Sequence, residues 1–495
     1  MFFIMLVRQS KNSFIRIYDN CELGYISNQL TKYDRTYNES GAIFLSQISR
    51  QPKDIRTMVD NISSIYSEAD SKTIEKDFIS FIEELAESQF IVMGESLEEL
   101  GQKDLAFSYS SNSPKTFTDY YPQKTKQKVQ RDTEEFFLRH DQRKPRLASL
   151  QFELTSRCNE RCIHCYIPNG KKNAGFDMSF ERFKYVLDQY AEMGGLQVTL
   201  SGGEALMNKD IVEMLWYCRK KDMQISLLTN LISLKDEHIP ILRDVNLSLI
   251  QVSLYSMNAE KHDFITTVKG SFEKTKTAIE KLHNADIPVQ ISCPIMKANK
   301  DGYDEVMKYA QRHRMKAQTD YIMMAQADLD TSNLANRISI EETEKVIRDI
   351  MENDMDYQIE TLSQEPLSSI SEEEFAEMPL CGAGFNDLCV TVNGDVYPCA
   401  GWQGFVVGNV FRESLKEIWE HSPKLEQIRK IKQKDFPKCL KCEARDFCNM
   451  CLVRNYNESG GDMFKINEHF CKVAFLNKQI AEEWQKSHPI RVSND

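Results

Sequence analysis

From about residue 147 the chain alternates short apolar runs with amphipathic stretches of helix length, and this alternation constrains the fold more than any other feature. The runs 147–154 (LASLQFEL), 196–202 (LQVTLSG), 224–230 (QISLLTN), 247–255 (LSLIQVSLY) and 288–296 (PVQISCPIM) read as buried strands. Between them 180–194, 210–222 and 272–285 carry apolar residues at helical spacing. Strands and helices in alternation mean parallel strands joined by helical crossovers. The expected fold is α/β, a partial (β/α)6 barrel of TIM type over 147–374. In such folds reactive groups gather at the C-terminal ends of the strands.

Two further regions flank this one. Residues 1–95 read as an α+β module of winged-helix-like layout. The runs 2–7 and 13–19 read as a strand pair joined near Lys11 and Asn12, helical patterns follow in 42–48, 54–66 and 76–89, and 90–94 closes as a strand. Residues 96–146 are polar with little periodicity, a linker with room for one amphipathic helix at its end. From 375 to 495 the alternation stops. There 388–402 predicts a hairpin turning at Asn393-Gly394, and 414–431 and 469–487 predict helices.

The chain has 495 residues, enough for two to four domains, and a net charge of −12. An acidic balance argues against a dedicated nucleic-acid binder, because backbone phosphates attract basic surfaces, and leaves local basic grooves open. The apolar start precedes its basic residues Arg8 and Lys11, the reverse of a signal peptide. No apolar stretch is long enough to span a membrane, and a cytoplasmic location is expected.

Fourteen cysteines complete the picture. In a cytosol, clustered cysteines point to metal or catalysis rather than to disulfides. Cys158, Cys162 and Cys165 (CNERCIHC) follow the first predicted strand, in the loop at its C-terminal end. Three thiolates so spaced can take three irons of one cubane and leave the fourth open to a small molecule. The alternative is a zinc knuckle with His164 as fourth ligand. Eight more cysteines, Cys381, Cys389, Cys399, Cys439, Cys442, Cys448, Cys451 and Cys471, crowd the last quarter. Taken alone, their spacing also fits a pair of structural zincs. Cys21, Cys218 and Cys293 stand apart as ordinary thiols.

The CNERCIHC segment resembles the signature of the radical S-adenosylmethionine (SAM) superfamily. That resemblance implies a [4Fe–4S] cluster on Cys158, Cys162 and Cys165, with SAM on the open iron and His164 near the adenine. Gly202-Gly203-Glu204, closing the second strand, resembles the family's GGE motif, which binds the SAM amino group. Glycines let backbone approach a ligand, and a carboxylate suits an ammonium. Thr229 and Asn230 end the third strand; Gln251 and Ser253 lie on the fourth. Relatives carry Asp-Gly where this chain has Tyr255 and Ser256, which leaves Ser253 as the expected ribose contact.

The C-terminal pattern resembles the SPASM domain, which carries two auxiliary [4Fe–4S] clusters. By resemblance Cys381, Cys399 and Cys451 hold one, and Cys439, Cys442, Cys448 and Cys471 the other. The quartet departs from the usual form, with two residues rather than three between Cys448 and Cys451. The first cluster is one cysteine short. Either its iron is open or Cys389 fills it, and a core thiol is the preferred reading of Cys389. Three [4Fe–4S] clusters and SAM are therefore the expected cofactors.

The N-terminal module resembles PqqD-like elements that bind a leader peptide as an added strand. Together these likenesses imply a maturase of ribosomally made peptides, served by an electron donor such as flavodoxin or ferredoxin. The expected reaction is a thioether crosslink from a peptide cysteine. Ala400 follows Cys399 where formylglycine-forming relatives carry an aspartate, which argues against that role. Carbon–carbon crosslinking, such as lysine to tryptophan, is the alternative, followed by decarboxylation or epimerisation. A zinc-stapled peptide-binding scaffold is the non-enzymatic alternative, and the GGE motif argues against it.

Overall fold

The computed structural model describes residues 5–28, 33–104, 145–168, 175–287, 289–362, 371–448 and 450–488. In the N-terminal module the strands are β1 (Leu6–Gln9), β2 (Ser13–Tyr18), β3 (Leu23–Asn28), β4 (Tyr33–Asn38), β5 (Lys53–Asp54) and β6 (Ile91–Gly94). They form two antiparallel sheets, β5-β1-β6 and β2-β3-β4. The expected pairing of the first two runs is therefore wrong. Each run serves a different core. Val7 packs with Ile26, Leu45, Phe78 and Ile91 inside the module, whereas Phe14 and Tyr18 pack with Tyr25 and Leu196 of the central domain. β3 and β4 were missed, because LGYISN and YDRTYN lack an apolar run.

The module's helices span Glu39–Ser46, Ile55–Ile65 and Ser71–Glu87, with Asp54 and Asp70 capping the second and third. A short helix, Leu97–Lys103, opens the stretch read as linker. The helix expected at the linker's end lies outside the described residues.

Arg16 ties the module down by donating to the carbonyls of Gly195 (3.2 Å) and Asp222 (2.9 Å). Tyr18 Oη donates to the Gly194 carbonyl at 2.8 Å. Those residues immediately precede two strands of the central sheet, so the module sits at the strands' N-terminal ends.

The central strands are β7 (Ser149–Glu153), β8 (Gln197–Ser201), β9 (Gln224–Thr229), β10 (Leu249–Ser253), β11 (Gln290–Pro294) and β12 (Lys316–Asp320). Each is parallel to its neighbour in chain order. β12 (KAQTD) escaped the sequence reading because an edge strand there has no apolar run. Side chains alternate between the two faces of a strand. One face, with Leu150, Phe152, Val198, Leu200, Ile225, Leu227, Ile250 and Val252, forms the core beneath the crossover helices Phe180–Glu192, Ile211–Lys220, Ser271–Asn284 and Tyr303–Arg312. The lone thiols Cys218 and Cys293 are fully buried in that core. The opposite face is polar: Gln151, Glu153, Thr199, Ser226, Gln251, Ser253 and Ser292 lie on it, as their register requires.

The expected hairpin forms between β13 (Asp387–Val390) and β14 (Asp395–Tyr397), with Gly394 at φ +82° in the turn. It does not stand apart. β13 runs parallel to β7, with Cys389 opposite Gln151, and extends the central sheet through β14 to β15 (Gly408–Asn409). The single helix expected over 414–431 is two, Leu415–His421 and Pro423–Lys430. Pro423 forces the preceding Ser422 into extended backbone, φ −64° and ψ 118°. The last helix, Glu468–Ser487, packs Val473 and Ile480 on Ile347 and Met351 of Ile340–Asn353. Among the described residues no helix is long and apolar enough to cross a membrane.

Candidate active site

The loop after β7 carries Cys158, Cys162 and Cys165, all half-buried. It lies at the C-terminal end of the sheet, opposite the docked module. Its conformation is fixed by backbone on both sides. Arg161 N donates to Thr266 O and Ile163 N to Ile265 O, each at 3.0 Å. The Arg157 guanidinium holds the Asp177 carboxylate with two donors and donates to Met207 O.

The GGE segment packs directly beneath this loop. Gly203 N donates to Thr155 O at 2.8 Å and Glu204 N to Arg157 O at 2.9 Å. A Cβ on Gly203 would lie 2.3 Å from Arg157 O and 3.0 Å from Cys158 Cβ. A Cβ on Gly202, at φ +136°, would lie 2.6 Å from Thr155 O. These two glycines let strand ends and cysteine loop touch backbone to backbone.

Glu204 is buried, and its carboxylate accepts from Leu206 N (3.0 Å), Thr229 Oγ1 (2.6 Å) and Asn230 N (2.7 Å). It braces the ends of β8 and β9, and burial raises its pKa. Replacing it with glutamine turns an amide N–H₂ toward one of these donors. Glu204→Gln is therefore expected to cost about 1–3 kcal/mol, read as a lower melting temperature.

The thiols sort into three sets by the charge each feels. Burial pushes Cys158 up to about 11, with Glu204, Glu160 and Cys165 adding to it. Burial likewise lifts Cys162 well above the usual thiol range, with Glu160 and Cys165 contributing. Burial raises Cys381 to about 11 and Cys399 to about 12; Cys451 lies within range of both, and Cys381 of Cys399. Burial raises Cys448 to about 11, beside Cys471, Cys439 and Cys442. A small cavity of about 20 Å³ is lined by Cys439, Cys448, Cys451 and Cys471. Cys389 is fully buried and feels Glu153 and then Cys399.

Among the described residues no three His, Cys, Asp or Glu side chains converge tightly enough to hold a single ion. A tetrahedral zinc with Zn–S bonds of about 2.3 Å demands that convergence. A cubane takes one thiolate on each iron and spreads them wider. Soft, half-buried thiols fit iron–sulfur clusters in donor type.

His164 packs edge-on to Tyr255, ring centroids 4.9 Å apart. Ser253 ends β10, two residues before Tyr255. Three groups escaped the sequence reading. Glu160, inside the cysteine loop, is almost fully buried, and its Oε2 accepts from Cys162 Sγ at 3.4 Å. Burial raises its pKa to about 7. Glu153 ends β7 and accepts from Gln403, which follows Cys399 by four residues. The Tyr166 phenol is pushed well up by burial and by the charges of Glu153, Cys389, Cys165 and Cys399. A glutamate flanked by cysteines was the one available signal; the other two needed the fold.

Comparison with known proteins agrees with this architecture. Residues 152–310 match the radical SAM superfamily, 381–443 the SPASM iron-sulfur cluster-binding domain, and 33–91 coenzyme PQQ synthesis protein D (PqqD). An AdoMet-dependent heme synthase of Methanosarcina barkeri is 26% identical over 333 residues, 64% of this chain and 93% of its own length. The antilisterial bacteriocin subtilosin biosynthesis protein AlbA of Bacillus subtilis is 27% identical over 315 residues, 62% of this chain and 68% of its own. The structure of Streptococcus suis SuiB bound to precursor peptide SuiA superposes with a TM-score of 0.62 at 16% identity, covering 90% of this chain and 96% of that one. By its three matched domains and the cysteine loop at its strand ends, the chain belongs to the radical SAM/SPASM iron–sulfur enzymes, with the PqqD-bearing make-up of a peptide maturase.

Proposed function

We propose that this enzyme modifies a ribosomally made precursor peptide by radical chemistry and forms a thioether from one of its cysteines. The observation that carries the reading is the pairing of a strand-edge module at one end of the central sheet with the cysteine loop at the other. Among the described residues β4 pairs only with β3 and is an edge of its sheet, so a leader peptide can add to it as a further antiparallel strand. The peptide's core then reaches the polar face of β7–β12 at the strands' C-terminal ends.

A [4Fe–4S] cluster on Cys158, Cys162 and Cys165 supplies, when bound, the electron that splits SAM into methionine and a 5′-deoxyadenosyl radical. The chain's own residues do the rest. Gly202 and Gly203 bring backbone up to the loop, Glu204 holds the ends of β8 and β9, and His164 with Ser253 flank the adenosine region. In the crosslink a peptide C–H and a peptide S–H are replaced by one C–S bond. The hydrogen atom leaves on 5′-deoxyadenosine and the proton goes to a base. The remaining electron needs an acceptor, which further [4Fe–4S] clusters would supply, held by Cys381, Cys399 and Cys451 and by Cys439, Cys442, Cys448 and Cys471. A flavodoxin or ferredoxin is the expected donor of the first electron.

The likeness to a heme synthase raises a non-peptide substrate, and the PqqD match over 33–91 favours the peptide. The test is anaerobic incubation of the reconstituted enzyme with SAM, dithionite and a cysteine-bearing precursor peptide. The expected product is lighter by two hydrogens and resists thiol alkylation at one cysteine. A product lighter by two hydrogens with every cysteine alkylable favours a carbon–carbon crosslink. An unchanged peptide beside a consumed porphyrin overturns the peptide reading.

A further inference from the structure

We propose that the Tyr255 hydroxyl donates a hydrogen bond to the sulfur of Cys162 when that sulfur is a cluster thiolate, and that this bond raises the potential at which the cluster takes up its electron. The inference rests on the functional reading above, in which Cys162 is a cluster ligand.

Tyr255 Oη lies 3.7 Å from Cys162 Sγ. The residue is buried, in a small apolar cluster with Ile265, Met296 and Met323 that also contacts Cys162 and Ile163. Its ring lies between the imidazoles of His164 and His262, with centroids 4.9 and 5.4 Å away. Asn299 Nδ2 donates to the Tyr255 carbonyl at 2.8 Å, which fixes its backbone. A phenol both donates and accepts, so opposite a thiolate sulfur, which has no proton, the Tyr255 hydroxyl can only be the donor.

The other polar neighbour of that sulfur is Glu160. As a thiol, Cys162 donates to its Oε2 at 3.4 Å. A thiolate has no proton to give, so an ionised Glu160 repels it, and Glu160 can donate to it only as the neutral acid. Tyr255 is a side-chain donor in reach of that sulfur whatever the charge of Glu160. A reduced cluster carries more negative charge than an oxidised one, so a donor to its sulfur stabilises the reduced form more. Hydrogen bonds to ligand sulfurs are one of the means by which proteins set cluster potentials. Tyr255 is thus a positioning residue for the electron-uptake step.

Tyr255→Phe keeps the ring and removes the donor. In the reconstituted full-length enzyme we expect unchanged iron per chain. At a fixed potential, the ratio of reduced to oxidised cluster should fall by about tenfold, ~59 mV for a one-electron couple. The signal to follow by redox-titrated EPR is the one that changes when SAM is added. Equal iron with an equal midpoint potential overturns the proposal. A wild type whose Cys158 set binds no iron–sulfur cluster overturns the functional reading and this inference together, and iron analysis separates that outcome from the first. Should Tyr255→Phe fail to load, the wild type decides. After exchange into D₂O its reduced cluster should show a deuteron coupling by ENDOR, and absence of the coupling overturns the proposal.

Discussion

Replacing Cys158, Cys162 and Cys165 together with alanine abolishes formation of 5′-deoxyadenosine and removes about four irons per chain. The loop's path does not depend on the three thiols. It is held by Arg161 and Ile163 on the carbonyls of Thr266 and Ile265, and by Arg157 on Asp177 and Met207. The core beneath β7–β12 lies on the other face of the sheet. The variant should therefore fold and keep the irons of the C-terminal sets. Chromatography of the SAM reaction and iron analysis check both parts. Residual 5′-deoxyadenosine above the no-enzyme control would mean that another set of thiols carries the chemistry.

Gly203→Ala is expected to be nearly as damaging, although it changes no ligand. Its new Cβ would lie 2.3 Å from Arg157 O and 2.6 Å from Arg157 C, both backbone atoms that cannot rotate away. The strand end or the cysteine loop has to move, and Cys158 moves with the loop. Overpacking of this kind costs about 1–3 kcal/mol of stability. The loss of function is larger, because a displacement of about 1 Å in a reacting arrangement costs about 100-fold. We expect a modest fall in melting temperature and a fall of about 100-fold or more in the rate of 5′-deoxyadenosine formation. Gly101→Ala is the control. It lies in the helix Leu97–Lys103 with nothing within 4 Å of an added Cβ. Helical Gly→Ala there should leave activity unchanged and stabilise by about 0.5–1 kcal/mol.

The parallel strands could be read in the sequence where both local signals agreed. LQFEL, LQVTLSG and LIQVS are apolar runs bounded by helical patterns, and they became β7, β8 and β10. β12, β3 and β4 could not be read, because their partners rather than their own composition make them strands. The N-terminal run went wrong for a related reason. Val7 and Phe14 look equivalent in sequence, yet one is buried in the module's own core and the other against Leu196. Cys158, Cys162 and Cys165 were legible because their spacing is local. The fold brings Cys451 within range of the charge of Cys381 and Cys399, and Cys471 within range of Cys448. Spacing alone could not have supplied this proximity across the intervening residues. The role of Glu204 shows the limit most clearly. Sequence suggests a carboxylate for an ammonium, and the donors that hold that carboxylate in place, Leu206, Thr229 and Asn230, come into view only with the fold. Tyr255 and Glu160 acquire meaning only from their distances to Cys162.

The central claim is that the cysteines hold three [4Fe–4S] clusters, one for SAM and two auxiliary. Iron, acid-labile sulfide and zinc per chain, measured after anaerobic reconstitution of the wild type, test it most directly. The account predicts about 12 irons with matching sulfide and no stoichiometric zinc. About four irons, with zinc on the C-terminal thiols, would contradict it and leave the leftover electron of the crosslink without the acceptor assigned to it.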